Sequence, residues 1–466
     1  MGRKRELALL EKIWASDKAE LFILYGRRRI GKTALLRHFC RHKDHVYFLA
    51  AQVKEEDNLR QFKEVLQLSL ADPILDNIVF PGWEDAFAYL GRVAKERRLV
   101  VVLDEFQYLC EANPALPSLL QRFWDLSGAE SRLMLILCGS YVSFMEREVL
   151  GEKSPLFGRR TSQLQLQPLP FFEATAFFPA YPLEDRLAVY GILGGTPAYL
   201  RQFDPAVDLA ANLRERLLSV EAYLYDEANL LLRMELSQIH VYASLLKAIA
   251  GGATKLNEIA GRAGLDSPAA GKYLNTLREL GLVERQVSFL ARAPEKSRKG
   301  RYYIRDPYLR FWFRFVLPHA SLIQVGEGDV VYSRFIAPYF PTYMGLIFED
   351  ICREALHYAG PALVGDHVQA SGKHWERDFD LDVTARLADG HYLFGECKWS
   401  KEPVGLSVLA ELLRKVEMLP AAYQEQSRLA IFALNGFQSD LRAAAASRKV
   451  ALVSGRDLLV GADLRT

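Results

Sequence analysis

Five hydrophobic residues, Leu21 to Tyr25, run directly into Gly26-Arg27-Arg28-Arg29-Ile30-Gly31-Lys32-Thr33, after which Ala34-Leu35-Leu36-Arg37 takes up helical spacing. A strand that turns through two glycines into a helix gathers several backbone N–H groups around one point, and the helix N-terminus adds positive potential there. Such a point suits phosphate oxygens. In the pattern G-x4-G-K-T, Lys32 reaches the terminal phosphates and the Thr33 hydroxyl ligates magnesium, so Gly26 to Ala34 reads as a cradle for Mg-ATP. A basic surface turn uses the same residue types but has no need of a strand before it and a helix after it.

The next signal is Arg98 to Glu105, RLVVVLDE, a strand whose apolar run ends in two acids. Ligands of open α/β sheets gather beyond the carboxyl ends of strands. There Asp104 is placed to hold magnesium and Glu105 to polarise the attacking water. An acid pair ending a strand in a solvated turn is the alternative, which the phosphate loop upstream disfavours. A further strand, Arg132 to Ser140, ends in Gly139-Ser140, where a small polar side chain can sense the γ-phosphate or simply end the strand. With His45 to Ala50 as another strand and helical stretches between, the alternation predicts a parallel sheet flanked by helices, a P-loop NTPase core over residues 1–168. Residues 169–235 are charged and helical in period, as expected of a small helical lid.

These motifs resemble the archaeal-type P-loop ATPases, a family near the AAA+ and signal-transducing (STAND) ATPases. The likeness runs from the opening Gly2-Arg3-Lys4-Arg5-Glu6-Leu7 through GRRRIGKT and LDEFQYL, to Ser154-Pro155-Leu156-Phe157-Gly158-Arg159-Arg160-Thr161 and Gly194-Gly195-Thr196-Pro197-Ala198-Tyr199-Leu200. The resemblance implies that Arg159 senses phosphate, within its own subunit or across an interface, and that Pro197 lies near the adenine. From the residues alone, Arg159 fits a solvated turn equally well and Gly194 to Pro197 a helix end.

The middle of the chain, residues 236–318, has helix-turn-helix spacing. Gln238 to Ile249 is helical, Gly251-Gly252 breaks it, Thr254 to Ala263 resumes, and Ser267 to Leu280 forms a third helix with Ser267 as its expected N-cap and Pro268 in its first turn. LVERQVSFL and Tyr302-Tyr303-Ile304 read as the two strands of a wing. Between Arg285 and Arg305 stand seven basic residues and one acid, a local balance of +6, although the whole chain, with 59 basic and 57 acidic residues, carries only +2. The expected DNA contacts are Lys272, Asn275 and Arg278 on the third helix and Arg298, Lys299 and Arg301 on the wing. A protein-binding winged helix with a solvated loop is the competing reading.

The last segment, residues 319–466, pairs a helix carrying Glu349 with Asp380-Leu381-Asp382 and His391-Tyr392-Leu393-Phe394-Gly395-Glu396-Cys397-Lys398-Trp399, joined through Asp389-Gly390 as a hairpin. Alternation puts Glu396 and Lys398 on one face of the strand. This arrangement resembles the PD-(D/E)xK nucleases, a restriction-endonuclease-like α/β fold. The resemblance implies Asp382, Glu396 and Lys398 as catalytic residues and Asp382, Glu396 and Glu349 as metal ligands, with Asp380 able to stand in for Asp382. An exposed strand pair, or a domain of this fold without activity, accounts for the same letters.

The expected molecule is therefore a multidomain α/β protein: a P-loop NTPase parallel sheet with helical lid, a winged helix-turn-helix and a restriction-endonuclease-like domain. Its length of 466 residues is enough for about three domains. Its expected cofactors are ATP and Mg2+, and its expected partner is DNA, met through the winged helix and the C-terminal domain, with another copy of itself or a second protein also open. No apolar run approaches the roughly 20 residues of a membrane helix. Five scattered cysteines suggest neither a disulfide framework nor a zinc pattern, so a reducing cytoplasm is expected. The rival to a DNA-associated ATPase is an ATP-controlled switch with an inactive nuclease-like domain.

Overall fold

A computed structural model describes residues 2–297 and 299–463. Arg298 of the wing thus lies outside the described residues. The chain divides into two compact units, Met1–Leu169 with Thr196–Ala198, and Pro170–Gly195 with Tyr199–Thr466. The segments expected as lid, winged helix and nuclease-like domain all fall in the second unit, apart from the three residues around Pro197.

The first unit is built on β1 (Glu20–Tyr25), β2 (His45–Leu49), β3 (Leu99–Asp104), β4 (Leu133–Gly139) and β5 (Ser162–Gln165), a parallel sheet in the order β2-β3-β4-β1-β5. Both faces of its central strands are covered, which is why they read as unbroken apolar runs. Side chains alternate between two cores: Leu21, Ile23, Val101, Leu103, Leu135 and Leu137 enter one, while Phe22, Leu24, Val100, Val102, Ile136 and Cys138 enter the other. Strand order places the carboxyl ends of β1, β3 and β4 side by side, and the phosphate loop leaves from the first of them.

In the second unit, three helices, Ile239–Ala250, Leu256–Ala263 and Ser267–Glu279, pack together beside the antiparallel pair β6 (Val283–Gln286) and β7 (Arg301–Ile304). The third helix is capped by Asp266, not by Ser267 as expected, because it is the Asp266 carboxylate that accepts from the Ala269 N–H, at 2.7 Å. The predicted wing strand is also shorter than LVERQVSFL. It leaves β7 after Gln286 and turns to another partner, β8 (Val368–Trp375).

That partner belongs to a five-stranded sheet of β8 (Val368–Trp375), β9 (Asp380–Leu387), β10 (Tyr392–Lys398), β11 (Ser427–Ala433) and β12 (Ala451–Ser454), in the order β12-β11-β10-β9-β8. β9 and β10 form the expected antiparallel hairpin, turning at Gly390 with φ of 93°, and β10, β11 and β12 run parallel. β8 was not expected; His367-Val368-Gln369-Ala370-Ser371-Gly372-Lys373 has no clean alternation, and the strand carries two register irregularities. The helix Phe340–Val364 packs across β8, β9 and β10 and brings Glu349 to their face.

Among the described residues no helix is long and apolar enough to cross a membrane. All five cysteines are buried and unbridged. One buried carboxyl on the long helix ties it to the lid segment: Glu354 accepts from the Phe171 N–H (3.1 Å) and the Tyr190 hydroxyl (2.9 Å). Burial pushes this carboxyl up to about 7 against its usual 4.5, outweighing both hydrogen bonds. A raised acid favours the fold fully below pH 4.5 and loses that contribution as pH climbs through 7, on the order of 3 kcal/mol. Glu354→Gln, which keeps a partner for Phe171 and Tyr190, should therefore flatten part of the fall in Tm between about pH 5 and pH 8. A fall identical to the parent's would place its source elsewhere.

Candidate functional site

The phosphate loop folds as its glycines dictate. Gly26 has φ of 151°, and a Cβ there would stand 2.5 Å from the Leu166 carbonyl oxygen. Gly31, at φ 96°, heads the helix Lys32–Cys40 in the left-handed region, where a side chain is strained. Ile30 is buried between them, while Arg27, Arg28 and Arg29 lie on the loop and Ala34 in the first turn of the helix. The opening box also reaches the loop: Arg3 donates to the Ile30 carbonyl at 3.0 Å and pairs with Glu6.

Lys32 is 7% exposed, and its ammonium donates to the carbonyls of Gly26 (2.7 Å) and Arg27 (3.0 Å), inside the curl of the loop. Burial lowers its pKa, against the upward pull of Cys138, Glu105 and Asp104. The Thr33 hydroxyl donates to Asp104 Oδ2 at 3.0 Å, and the same oxygen accepts from the Tyr47 hydroxyl at 2.5 Å. Glu105 has φ of 55°, unusual for a residue with a side chain, and its carboxylate accepts from Ser140 Oγ at 2.5 Å and from the Gln107 amide. Ser140 therefore serves Glu105 at this site. Pro197 Cγ stands 3.7 Å from where a Gly31 Cβ would be, so that segment does meet the loop. Arg28 donates to the Tyr108 hydroxyl and lies over Tyr141.

Arg159 is engaged elsewhere. Its Nε and one terminal nitrogen fork onto Asp125 at 2.8 and 2.7 Å, and the other terminal nitrogen donates to the carbonyls of Pro155 and Phe157. A role at phosphate would require it to exchange the Asp125 carboxylate for another anion.

The hard oxygens of Thr33 and Asp104, with a loop that has no space for a side chain at Gly26, fit a magnesium–triphosphate group. When bound, the metal supplies positive charge at the phosphate oxygens. Of the chain's own groups, the Lys32 ammonium lies inside the curl of the loop, and the Glu105 carboxylate is held by Ser140 and Gln107 at the end of β3.

The C-terminal acids are arranged differently. Lys373 of β8, which motif reading missed, holds Glu349 at 2.9 Å and lies 3.5 Å from Asp380 and 3.8 Å from Asp382. A second missed residue, Lys415, holds Glu396 at 2.7 Å and Glu411 at 3.1 Å. Lys398 pairs with Glu396 at 3.3 Å, on the shared face that alternation predicts. Asp382 Oδ2 accepts from the Cys397 N–H at 3.0 Å, and Arg353 pairs with Glu349 and donates to the Asp382 carbonyl. Burial first, then the Asp382 carboxylate, raises Glu349 to about 7 and raises Glu396 as well. Among the described residues no three Asp, Glu, His or Cys side chains are grouped to hold a metal ion. The expected set of Asp382, Glu396 and Glu349 is thus brought to one region, but with lysine ammonium groups interposed, and it does not fit a preformed metal centre.

Of the expected nucleic-acid contacts, Lys272, Asn275, Arg278 and Lys299 are exposed, with Arg278 donating to Asn275 at 2.9 Å. Arg301 is half-buried, its guanidinium 4.5 Å over the Trp375 ring.

Strand order, glycine loop and the Thr33–Asp104 pair together define a P-loop nucleoside-triphosphatase core. Comparisons agree. Residues 1–203 match a family described as an ATPase domain predominantly from Archaea, residues 242–287 an IclR helix-turn-helix domain, and residues 312–413 archaeal and bacterial proteins of unknown function. An uncharacterised protein of Methanocaldococcus jannaschii is 32% identical over 424 residues, covering 90% of this chain and 92% of that one. An uncharacterised ATP-binding protein of the same organism is 54% identical over 43 residues, 9% of this chain and 73% of its own. The fold also resembles that of a Walker-type ATPase of Pyrococcus abyssi, at 18% identity and a TM-score of 0.51, over 67% of this chain and 96% of the other. The chain belongs to the archaeal P-loop ATPase family.

Glu396 is 1% exposed and Lys415 6%, so neither charge has water to fall back on. Replacing Lys415 by Met leaves Glu396 with Lys398 alone and should cost about 3 kcal/mol in urea unfolding, of which Glu396→Gln in the same chain should restore part. A double-variant loss equal to the sum of the Lys415→Met and Glu396→Gln losses measured singly would mean that the pair is not coupled.

Proposed function

We propose that this chain is a Mg-ATP-dependent, DNA-associated ATPase of the cytoplasm, with Glu105 as the base that activates water and the winged helix as the DNA contact. The observation that carries the ATP reading is the Thr33–Asp104 hydrogen bond at the mouth of the glycine loop. The DNA reading is supported by the exposed Lys272, Asn275 and Arg278 on the third helix of a helix-turn-helix, next to a basic wing. Lys32→Ala should leave the fold intact and lower phosphate release from ATP by about 100- to 1,000-fold. Failure of the parent to bind ATP, or unchanged turnover in the variant, would remove the reading.

A second reading, in which the nuclease-like domain is inactive and ATP works a regulatory switch, is favoured by a specific observation: Lys373 and Lys415 occupy the carboxylates a nuclease would give to metal. It also keeps open a protein partner or a second copy of the chain, with Arg159 acting in either subunit. Incubation of supercoiled plasmid with Mg2+ or Mn2+ separates the two. On the ion-paired geometry no cleavage is expected from the parent or from Glu396→Ala. Metal-dependent nicking by the parent that disappears in Glu396→Ala would instead establish an active nuclease.

A further inference from the structure

The winged helix does not stop at its own hairpin. Beyond β6 the chain runs onto β8, where the Phe289 N–H donates to the Lys373 carbonyl at 3.0 Å. Ser288 Oγ sits 2.7 Å from His374 Nδ1, donates to the Trp375 carbonyl at 2.9 Å and accepts from the Trp375 N–H at 3.0 Å. Gly372 admits the Phe289 ring so closely that an added Cβ would stand 3.0 Å from it. The wing and the C-terminal sheet are thereby one surface.

A groove of about 870 Å³ opens along this junction. Lys255, Lys299 and Arg301 reach it from the winged helix and Arg377 from the turn after β8; one acid, Glu376, lines it, and Lys255 also pairs with Glu258 at 3.2 Å. Its wall also includes Ser267, the first residue of the third helix. Lys272, five residues further along that helix, is only about 7.5 Å away on the helix axis. Trp375 is 8% exposed and capped by Arg301, so it gives the groove a rigid cationic wall and no open face for a base to stack on. Four cations without a stacking platform suit a repeating anion approached from its backbone.

We propose that this groove binds the phosphodiester backbone of a nucleic acid, with Arg377 as a phosphate contact contributed by the C-terminal sheet. The inference rests on the DNA-associated reading above and adds to it a second, composite contact surface.

Binding of the full chain to a duplex, and to one strand of the same sequence, measured by fluorescence anisotropy across a salt series, tests this. Arg377 is exposed, so Arg377→Ala should keep the parent's Tm and ATP turnover. It should lower the slope of log affinity against log salt by about 0.9 on the duplex or about 0.7 on the single strand, and Arg377→Lys should restore it. The form of DNA on which the slope changes identifies the source of the backbone. If Arg377→Ala leaves both slopes unchanged while Lys272→Ala still weakens binding, the groove is not a site and the helix alone makes the contact. If the parent binds neither form, the DNA reading and the groove fall together.

Discussion

At the end of β3 a single buried carboxylate gathers three parts of the first unit. Asp104 accepts the Thr33 hydroxyl from the helix after the phosphate loop, the Tyr47 hydroxyl from β2 and, on its other oxygen, the N–H of Glu105. At 1% exposure it cannot turn to water for these bonds, and loss of any one donor would leave part of a buried charge unsatisfied. The position of the loop helix, the edge strand and the strained Glu105 all follow from that one group. Glu105 can hold a left-handed backbone because its amide is tied to Asp104 and its carboxylate to Ser140 and Gln107.

The two acidic centres of the chain solve the same electrostatic problem in opposite ways. Around Asp104 the charge is met by hydroxyl and amide donors, neutral groups that leave room for a cation. Around Glu349 and Glu396 it is met by lysines, which bring full charges of their own. Fixed ammonium groups in a buried cluster lose much hydration, and they remain only because several carboxylates surround each of them. That difference, and not the identity of the acids, sets the two centres apart.

Short-range pattern made the first centre legible. Leu99 to Leu103 is a strand buried on both faces, and the two acids that follow it are adjacent in the chain. The glycine loop likewise carries its own geometry. The second centre was half visible: Asp382, Glu396 and Lys398 share a hairpin whose alternation fixes their face. Lys373 was hidden because its partner Glu349 lies on a helix in an earlier part of the chain and β8 has no alternation to mark it. Lys415 did leave a trace, a base set within the apolar stripe of Val408, Leu412 and Leu419. The partner of Arg159 was beyond reach, since nothing near Asp125 announces a pairing with a residue so much later in the sequence. Asp266 and Ser267 are both good caps, and only the position of the Ala269 N–H decides between them.

Lys373 has a consequence that follows from the two directions in which it is held. Its carbonyl oxygen anchors the wing through Phe289, and its ammonium group lies among Glu349, Asp380 and Asp382. One residue thus makes a backbone contact with the wing and a side-chain contact with the acids. A change of side chain at this position would therefore alter the charge of the acid cluster while leaving the wing's backbone bond in place.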